Sequence, residues 1–587
     1  MKKPSLKAFL RSRYPLAIFA GFLLACAFPK IGIAGFGWIA PGLMLATALG
    51  TSGKQSFRLG YVAGLAHFLT SLYWLLCIPV RGFPILGWIA LSAFLALYPA
   101  IWVWLAVKVS GVSFPLPGKA GRLKPLGLAS VLGSQSWSQR TLWALACAAL
   151  WVAWEMIIAR FLGGFPWNLL GASQYRIVPL IQIAAVTGVY GVSFLLVWTS
   201  VSLLNAIAAL VQRPQMRSVW VKEMALPMLT VAVSFALGFH QLQPTAPSAR
   251  ELKIALVQPS IPQTMIWDES GEMERFAKLM SLSQAALTNQ PDLLIWPEAA
   301  IPKMLRYNAA VQEPILHLAR SNKVWMIVGS DDGEPRNNPD NPDDADYYNS
   351  SFLISPAGEI VSGYRKRNLV IFGEYIPLVR WLPFIAKFTP VTGSFTPGDK
   401  AVPFVLDRRS PDQPGPAEVA NHADSENGAP PATARVKTSV LICYEDNFPH
   451  LVREYVEEDT DFLVNITNNG WFGESAAQWQ HAANAILRAI ENGLPLVRCS
   501  NNGLTCWVDA QGRIREVFRD SAGTIYGAGF MTAQVPLLEP GEKRPPTFYR
   551  RHGDWFGWSC LGFAVLAVWR SRKAARLQRL AKPLKDP

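Results

Sequence analysis

Apolar runs separated by short basic loops fill residues 1–244, and the same pattern returns after residue 553. A run of about 18–25 apolar residues is long enough to cross a bilayer as a helix. Eight such spans are predicted at roughly 14–30, 33–50, 59–80, 84–108, 141–160, 188–211, 222–241 and 553–570. The apolar stretch 177–187 precedes Gly188 and would overshoot a straight span, so it is expected to lie along the interface.

From residue 251 the period shortens. β-rich runs are predicted at Leu252–Gln258, Asp292–Trp296, Val324–Gly329, Ser351–Ser355, Thr438–Tyr444, Asp461–Thr467, Pro495–Ser500 and Leu504–Asp509. Helical patterns over 270–288, 309–322 and 475–492 lie between them, the last closed by Gly493. Alternation of this kind means an α/β domain. The expected organisation is therefore 1–244 as seven transmembrane helices, 245–552 as a water-facing domain, and 553–587 as an eighth helix with a basic tail. Polar, Pro-rich stretches near 331–346 and 408–436 are expected to be disordered or surface loops, and 109–139 is a similar insert between spans.

Charge sharpens this division. Of 41 acidic residues only Glu155 and Glu223 fall in 1–244, so the chain meets two solvents, lipid first and water second. The chain is 51% hydrophobic and 16% charged, too apolar for an ordinary soluble enzyme. A net charge of +14 would suit a nucleic-acid partner, but the basic residues sit in alternate short loops, which positive-inside topology explains without one. The loops with Lys54 and Arg58, with Lys119, Arg122, Lys124 and Arg140, and with Arg213, Arg217 and Lys222 share a side with both basic termini. Both termini are thus expected in the cytoplasm and residues 245–552 outside it. Leu23-Leu24-Ala25-Cys26 resembles a signal-peptide cleavage site, yet an apolar run restarts within a few residues, so the first span is expected to be retained. The seven cysteines suggest no disulfide framework. Glu155, inside the fifth span, is either functional, since an ionised carboxylate there is costly, or a polar group facing other helices or the nearby interface, near Arg160; the second reading is preferred. Gly163-Gly164-Phe165-Pro166-Trp167 suits a loop at the outer membrane surface.

In α/β folds catalytic groups gather where strands end. Glu298 follows Leu293–Pro297, Cys443 ends Ser439–Ile442, and Lys366 follows the hairpin-like region 351–364. A carboxylate can take a thiol proton, and a lysine can lower the thiol pKa and support an oxyanion. Singly each residue has a plainer reading: a buried cysteine is usually packing, Glu298 could be a surface residue, and Lys366 between Arg365 and Arg367 could be a solvated loop. Their occurrence together, in this order, favours catalysis.

These residues also carry a resemblance. Trp296-Pro297-Glu298, Lys366 followed by Phe372-Gly373-Glu374, and Cys443-Tyr444-Glu445 resemble the three signatures of the nitrilase superfamily. With the eight spans, Gly164-Phe165-Pro166-Trp167, Asn349-Ser350 and Asn465–Gly473, nearly the whole chain is similar to the apolipoprotein N-acyltransferase family. The departure is Ile371, where that family usually has proline. The resemblance implies an α-β-β-α sandwich in which Glu298 is general base, Lys366 stabilises the transition state and Cys443 is the nucleophile. It implies an inner-membrane enzyme with a periplasmic catalytic domain. A phospholipid donor, typically phosphatidylethanolamine, would give its sn-1 acyl chain to Cys443 as a thioester. The acceptor would be the α-amine of a diacylated apolipoprotein. Asn349, Glu374, Tyr444, Glu445 and Trp471 would shape the site, and Trp267 would guard its membrane-facing entrance.

The chain is expected to act as a monomer without cofactor, metal or nucleic acid, since neither a metal-spaced His/Cys cluster nor a phosphate loop is present. Two rivals remain: a membrane-tethered amidase that uses water as second substrate, and a transporter or lipid-binding scaffold with an inert nitrilase-like domain.

Overall fold

The computed structural model describes the chain apart from residues 1–11, 81–82, 111–131, 133–134, 213–214, 216–217, 244–249, 266–268, 337–344, 377–393, 409–433, 540–541 and 581–587. The chain divides into two compact units. One comprises Met1–Gln243, Trp471–Glu491 and Thr547–Pro587; the other comprises Pro244–Gly470 and Asn492–Pro546.

The first unit is helical. Among the described residues, four helices are long and apolar enough to cross a membrane: Pro84–Val109, Trp137–Ile158, Val189–Gln212 and Trp220–Gln241. Of the other predicted spans, 553–570 falls almost wholly within the helix Trp555–Leu580, and the first three differ from expectation. The run at 14–30 is helical only over Tyr14–Cys26, and the run at 33–50 divides into a 3-10 turn, Ala34–Trp38, and a short helix, Ala40–Ala48. Gly32, in the left-handed region at φ 69°, lies between the two runs, and Pro41 enters the second helix near its first turn, where it has no N–H to offer. The third helix starts earlier than predicted, at Gly53, where Ser52 caps it by accepting from Gln55 N. The expected interfacial stretch 177–187 forms two short helices, Val178–Ile181 and Ala184–Thr187.

The helix Ala477–Asn492, expected from its sequence neighbours to serve the α/β domain, lies in the helical unit for all but its last residue. Buried Gln480 explains the attachment. Its Oε1 accepts from Trp74 Nε1 at 3.0 Å and from Trp167 Nε1 at 2.8 Å, and its Nε2 donates to the carbonyls of Pro29 (2.6 Å) and Ser71 (3.1 Å). One amide thereby satisfies four polar groups in apolar surroundings, where each would be costly alone. The tight turn before Trp167 uses Gly163 and Gly164, both at positive φ. Glu155 is buried and accepts from Trp151 Nε1 (2.9 Å) and Leu170 N (2.8 Å); Arg160 pairs instead with Asp554. The expected neighbourhood of Glu155 is thus corrected to a helix-internal and loop contact.

The second unit has two six-stranded sheets. The strands are β1 Glu251–Gln258, β2 Leu293–Ile295, β3 Trp325–Pro335, β4 Ala345–Ile354, β5 Ile360–Arg365, β6 Pro403–Arg408, β7 Ala434–Ile442, β8 Phe462–Thr467, β9 Leu496–Ser500, β10 Cys506–Val508, β11 Ile514–Val517 and β12 Gly529–Pro536. The first sheet runs β12-β1-β2-β3-β4-β5 and the second β11-β10-β9-β8-β7-β6. In each, three central strands are parallel, β1-β2-β3 and β7-β8-β9, and the outer ones antiparallel. The parallel strands are largely buried and rich in apolar residues, as suits strands covered on both faces. Helices Glu272–Leu287 and Ala309–Asn322 bury Phe276, Leu279, Val311, Ile315 and Leu318 with Leu294, Met326 and Val328 of the first sheet. Cys499 on β9 donates its thiol to the carbonyls of Val257 and Ile295 (3.3 and 3.4 Å), joining the two sheets. Residues 331–335 and 345–346, expected to be loop, extend strands β3 and β4; the 408–436 insert lies outside the described residues except at its strand ends.

Candidate active site

The first sheet brings a carboxylate to its edge by a turn that glycine makes possible. Beyond β2, Trp296 N donates to Ile327 O (2.9 Å) and Ala300 N to Gly329 O (3.1 Å), clamping the intervening Pro297-Glu298-Ala299 against β3. A Cβ on Gly329 would lie 2.3 Å from Pro297 O and 2.8 Å from Glu298 Cα, so only bare backbone permits this approach. Trp296 is wholly buried and anchors the turn by donating to Ser283 Oγ at 2.8 Å.

Lys366 follows β5 and is fixed through its own backbone. Its N–H donates to Asn349 O and its carbonyl accepts from Gly398 N, both at 2.8 Å. The side chain is 1% exposed, with Nζ at 2.8 Å from Glu374 Oε1 and 3.4 Å from Glu298 Oε1. Glu374 is held by a tight turn in which Phe372 N donates to Tyr375 O and Glu374 N to Val370 O, both at 2.8 Å, and its Oε2 accepts from Val370 N. The turn closes with Ile371 in place and Phe372 at φ 60°. Asn349 Nδ2 donates to both carboxylates, at 2.8 Å to Glu298 and 2.9 Å to Glu374.

Cys443 comes from the second sheet, where β7 breaks into a 3-10 turn, Cys443–Asn447. Its φ of 52° is left-handed, a conformation that costs a side-chain-bearing residue about 1–3 kcal/mol and persists only where its surroundings impose it. Those surroundings are explicit. Fully buried Glu445 accepts from Ile442 N (2.8 Å), Arg367 N (2.8 Å), Asn368 N (3.2 Å), and the hydroxyls of Tyr364 (2.7 Å) and Tyr455 (3.2 Å). Asp446 pairs with Arg498 at 2.6 Å, both side chains wholly buried; Arg498 donates to Asn465 Oδ1, whose Nδ2 donates to Cys443 O (3.1 Å). Tyr444 packs edge-on against Phe448.

The electrostatics assign distinct states to these groups. Burial pushes the Cys443 thiol up to about 12, helped by the Glu298 carboxylate; Lys366 and Thr467 pull the other way without prevailing. The sequence-based expectation of a lysine-lowered thiol is therefore corrected: Lys366 acts in that direction, but burial wins. Burial would lower the Lys366 ammonium, but Glu374 and Glu298, with Cys443, hold it above its ordinary value. The resting site is thus a neutral thiol beside a charged ammonium flanked by carboxylates. Such a site can deprotonate the thiol at the moment of attack and stabilise negative charge on an acyl oxygen.

Of the residues singled out in the sequence, Glu298, Asn349, Lys366, Glu374, Cys443, Tyr444 and Glu445 come together in this unit. Trp471 belongs to the helical unit, in the 3-10 turn Asn469–Phe472, and Trp267 lies outside the described residues. Asp446, Asn465, Asn468 and Arg498 were not identified individually. Asn465 and Asn468 lie within a quoted motif, whereas an isolated Arg on a strand gives no sequence signal. Cys499 and Cys506 are buried, with thiols that burial raises well above their ordinary value, and are packing residues.

Comparison with known proteins adds two family matches. Residues 20–202 match the apolipoprotein N-acyltransferase N-terminal domain, and residues 253–528 match carbon-nitrogen hydrolase. The chain is 34% identical to an apolipoprotein N-acyltransferase of Geobacter metallireducens over 98% of both chains. It is 30% identical to one of Chlorobaculum tepidum over 82% of this chain and 86% of that one, and 28% identical to one of Vibrio vulnificus over 96% and 98%. Among solved structures, an amidase of the nitrilase superfamily from Nesterenkonia AN1 aligns with 50% of this chain and 93% of its own at 16% identity and TM-score 0.32.

Proposed function

The chain belongs to the apolipoprotein N-acyltransferase family, and we propose that it transfers a fatty acyl chain from a phospholipid to the N-terminal amine of lipoproteins through a thioester on Cys443. The observation that carries the mechanism is the cluster in which Lys366 Nζ stands between Glu374 and Glu298 beside the Cys443 turn.

In the first half-reaction Glu298 takes the Cys443 proton as sulfur attacks the ester carbonyl. Negative charge develops on the acyl oxygen, where the Lys366 ammonium stabilises it. Collapse breaks the ester bond, and the proton on Glu298 passes to the departing lysophospholipid oxygen. In the second half-reaction the α-amine of an S-diacylglyceryl cysteine attacks the thioester. Glu298 takes the amine proton and returns it to the leaving sulfur, regenerating the thiol. Glu374 and Asn349 hold Lys366 and Glu298 in register, Tyr444 and Glu445 shape the site, and by the family resemblance Trp471 and Trp267 are further proposed substrate-binding residues.

The protein is a membrane-embedded bacterial enzyme. Its finer organisation is part of the proposal: eight spans, both termini cytoplasmic, a periplasmic catalytic domain over 245–552, and a monomeric state. Phosphatidylethanolamine is the proposed donor. The test is incubation of detergent-solubilised protein with phosphatidylethanolamine and a diacylated lipopeptide, read by mass spectrometry. A triacylated peptide with equimolar lysophospholipid is expected. Free fatty acid with an unmodified peptide would favour the tethered hydrolase instead.

A further inference from the structure

Two aspartates stand side by side on β3, and strand alternation sends them to opposite faces. Asp332 is fully paired: its carboxylate accepts from Arg306 Nε (2.7 Å), Arg306 Nη2 (2.8 Å) and Arg365 Nη2 (3.2 Å). Asp331 has no cation paired with it among the described residues, and the charged groups that act on it are the carboxylates of Glu298 and Glu374. A carboxylate under the influence of two others is unfavourable, so something other than charge pairing must account for its presence.

The register supplies that account. Asp331 lies directly opposite Asn349 in the β3–β4 pair. Residues so opposed share a face, with Cβ atoms about 4.5–5.5 Å apart. Asn349 Nδ2 serves Glu298 and Glu374, so the amide cannot be turned around: its oxygen would then face two carboxylates. That leaves Asn349 Oδ1, which is buried and without a partner among the described residues. What the site lacks is one donor on the side of Asp331, and a protonated carboxyl is one.

We propose that Asp331 is a positioning residue for the acyl-transfer base: it remains protonated and donates to Asn349 Oδ1, locking the amide with its N–H groups on Glu298 and Glu374. This inference rests on the reading of Glu298 as base. Every element packed around the site fits it. Glu298 comes from the turn after β2, Glu374 from the turn Phe372–Tyr375, and Asn349 from β4. Lys366, after β5, is committed to the two glutamates, and Cys443, after β7, interacts with that same trio. Arg306, Arg365 and Glu334 engage one another and Asp332. Burial, with Glu298 and Glu374, pushes the Asp331 carboxyl up to about 7. Below that pH the proton is present and Asn349 is held; above it a donor becomes a third acceptor and Asn349 is released.

The test uses full-length protein in detergent and follows alkylation of Cys443 by iodoacetamide across pH 5.5–9, with the modified peptide identified by mass spectrometry. The thiol proton goes to Glu298, iodide leaves, and a thioether forms, so the readout requires the base but no lipid. In the wild type the rate should turn downward above about pH 7. D331A should be about tenfold slower at pH 6, because Asn349 Oδ1 is then left without a donor. D331N keeps a donor; it should recover most of that loss and show no downturn. Identical profiles for wild type and D331N would overturn the proposal, as would wild-type reactivity at pH 6 in D331A. Should D331A fail to fold, the D331N profile decides alone. If the wild type makes no triacylated peptide while the alkylation profiles differ as stated, the acyl-transfer reading fails and the role of Asp331 stands.

Discussion

Glu298 and Asn468 join the two sheets at the candidate site: the main-chain N–H of Asn468, just beyond β8, donates to Glu298 Oε2 at 2.8 Å. The proposed base thus comes from one sheet and is aimed by the other, which also carries Cys443. A shift of one sheet on the other would separate base from nucleophile, and the Cys499 thiol bridge opposes such a shift.

Glu298→Gln separates positioning from proton transfer. The amide oxygen can still accept from Asn468 N, so the fold should survive with little change in Tm. Acyl loading of Cys443 should slow about 10²–10⁴-fold, the usual contribution of a general base. Loading within a few-fold of wild type would remove Glu298 from the mechanism.

The raised thiol gives this substitution a pH signature. With a thiol pushed up to about 12 and no base, alkylation of Cys443 in Glu298→Gln must rely on the small thiolate fraction. Its rate should then climb about tenfold per pH unit through the range 7–9. Removing the Glu298 charge also removes one cause of the raised value, so the climb should level off at a lower pH than the buried thiol would otherwise require. A flat profile would indicate another base.

Gly329→Ala tests the close approach under the Glu298 turn. A methyl group 2.3 Å from Pro297 O must displace that turn or β3. We expect a loss of about 1–3 kcal/mol in stability, as for other overpacked sites, together with slowed loading. Full activity with an unchanged Tm would show that the turn is not clamped as described.

Gln480→Leu addresses the helical unit. It leaves the indole N–H groups of Trp74 and Trp167 and the carbonyls of Pro29 and Ser71 without this partner. Thermal unfolding in detergent should occur at lower temperature. An unchanged or raised melting temperature would mean that the hub contributes nothing net.

Much of the site was legible because its chemistry is local in sequence: Glu298, Lys366 and Cys443 each sit at a strand end with a recognisable flank. The supporting groups were not. Arg498 pairs with Asp446 across 52 positions, and Asn349 reaches Glu298 across 51, distances over which spacing carries no signal. Asp331 was hidden for another reason: the Asp, Asn and Pro content of 331–346 reads as loop, yet antiparallel pairing with β4 carries the strand to Pro335. The first two apolar runs form shorter helices than hydropathy suggests, because hydropathy ignores the glycine and proline at which the helices break. Strands β6, β11 and β12 escaped notice because they are mostly half-exposed or exposed and lack a long apolar run.

The central claim is that acyl transfer passes through Cys443, and the first half-reaction tests it alone. Purified protein given phosphatidylethanolamine without acceptor should accumulate one hydroxylamine-labile acyl group on the Cys443 peptide, with one equivalent of lysophospholipid. Adding a diacylated lipopeptide should discharge it onto the peptide amine. Full-rate transfer in Cys443→Ala, or an adduct that water discharges as fast as the lipopeptide does, would contradict the account.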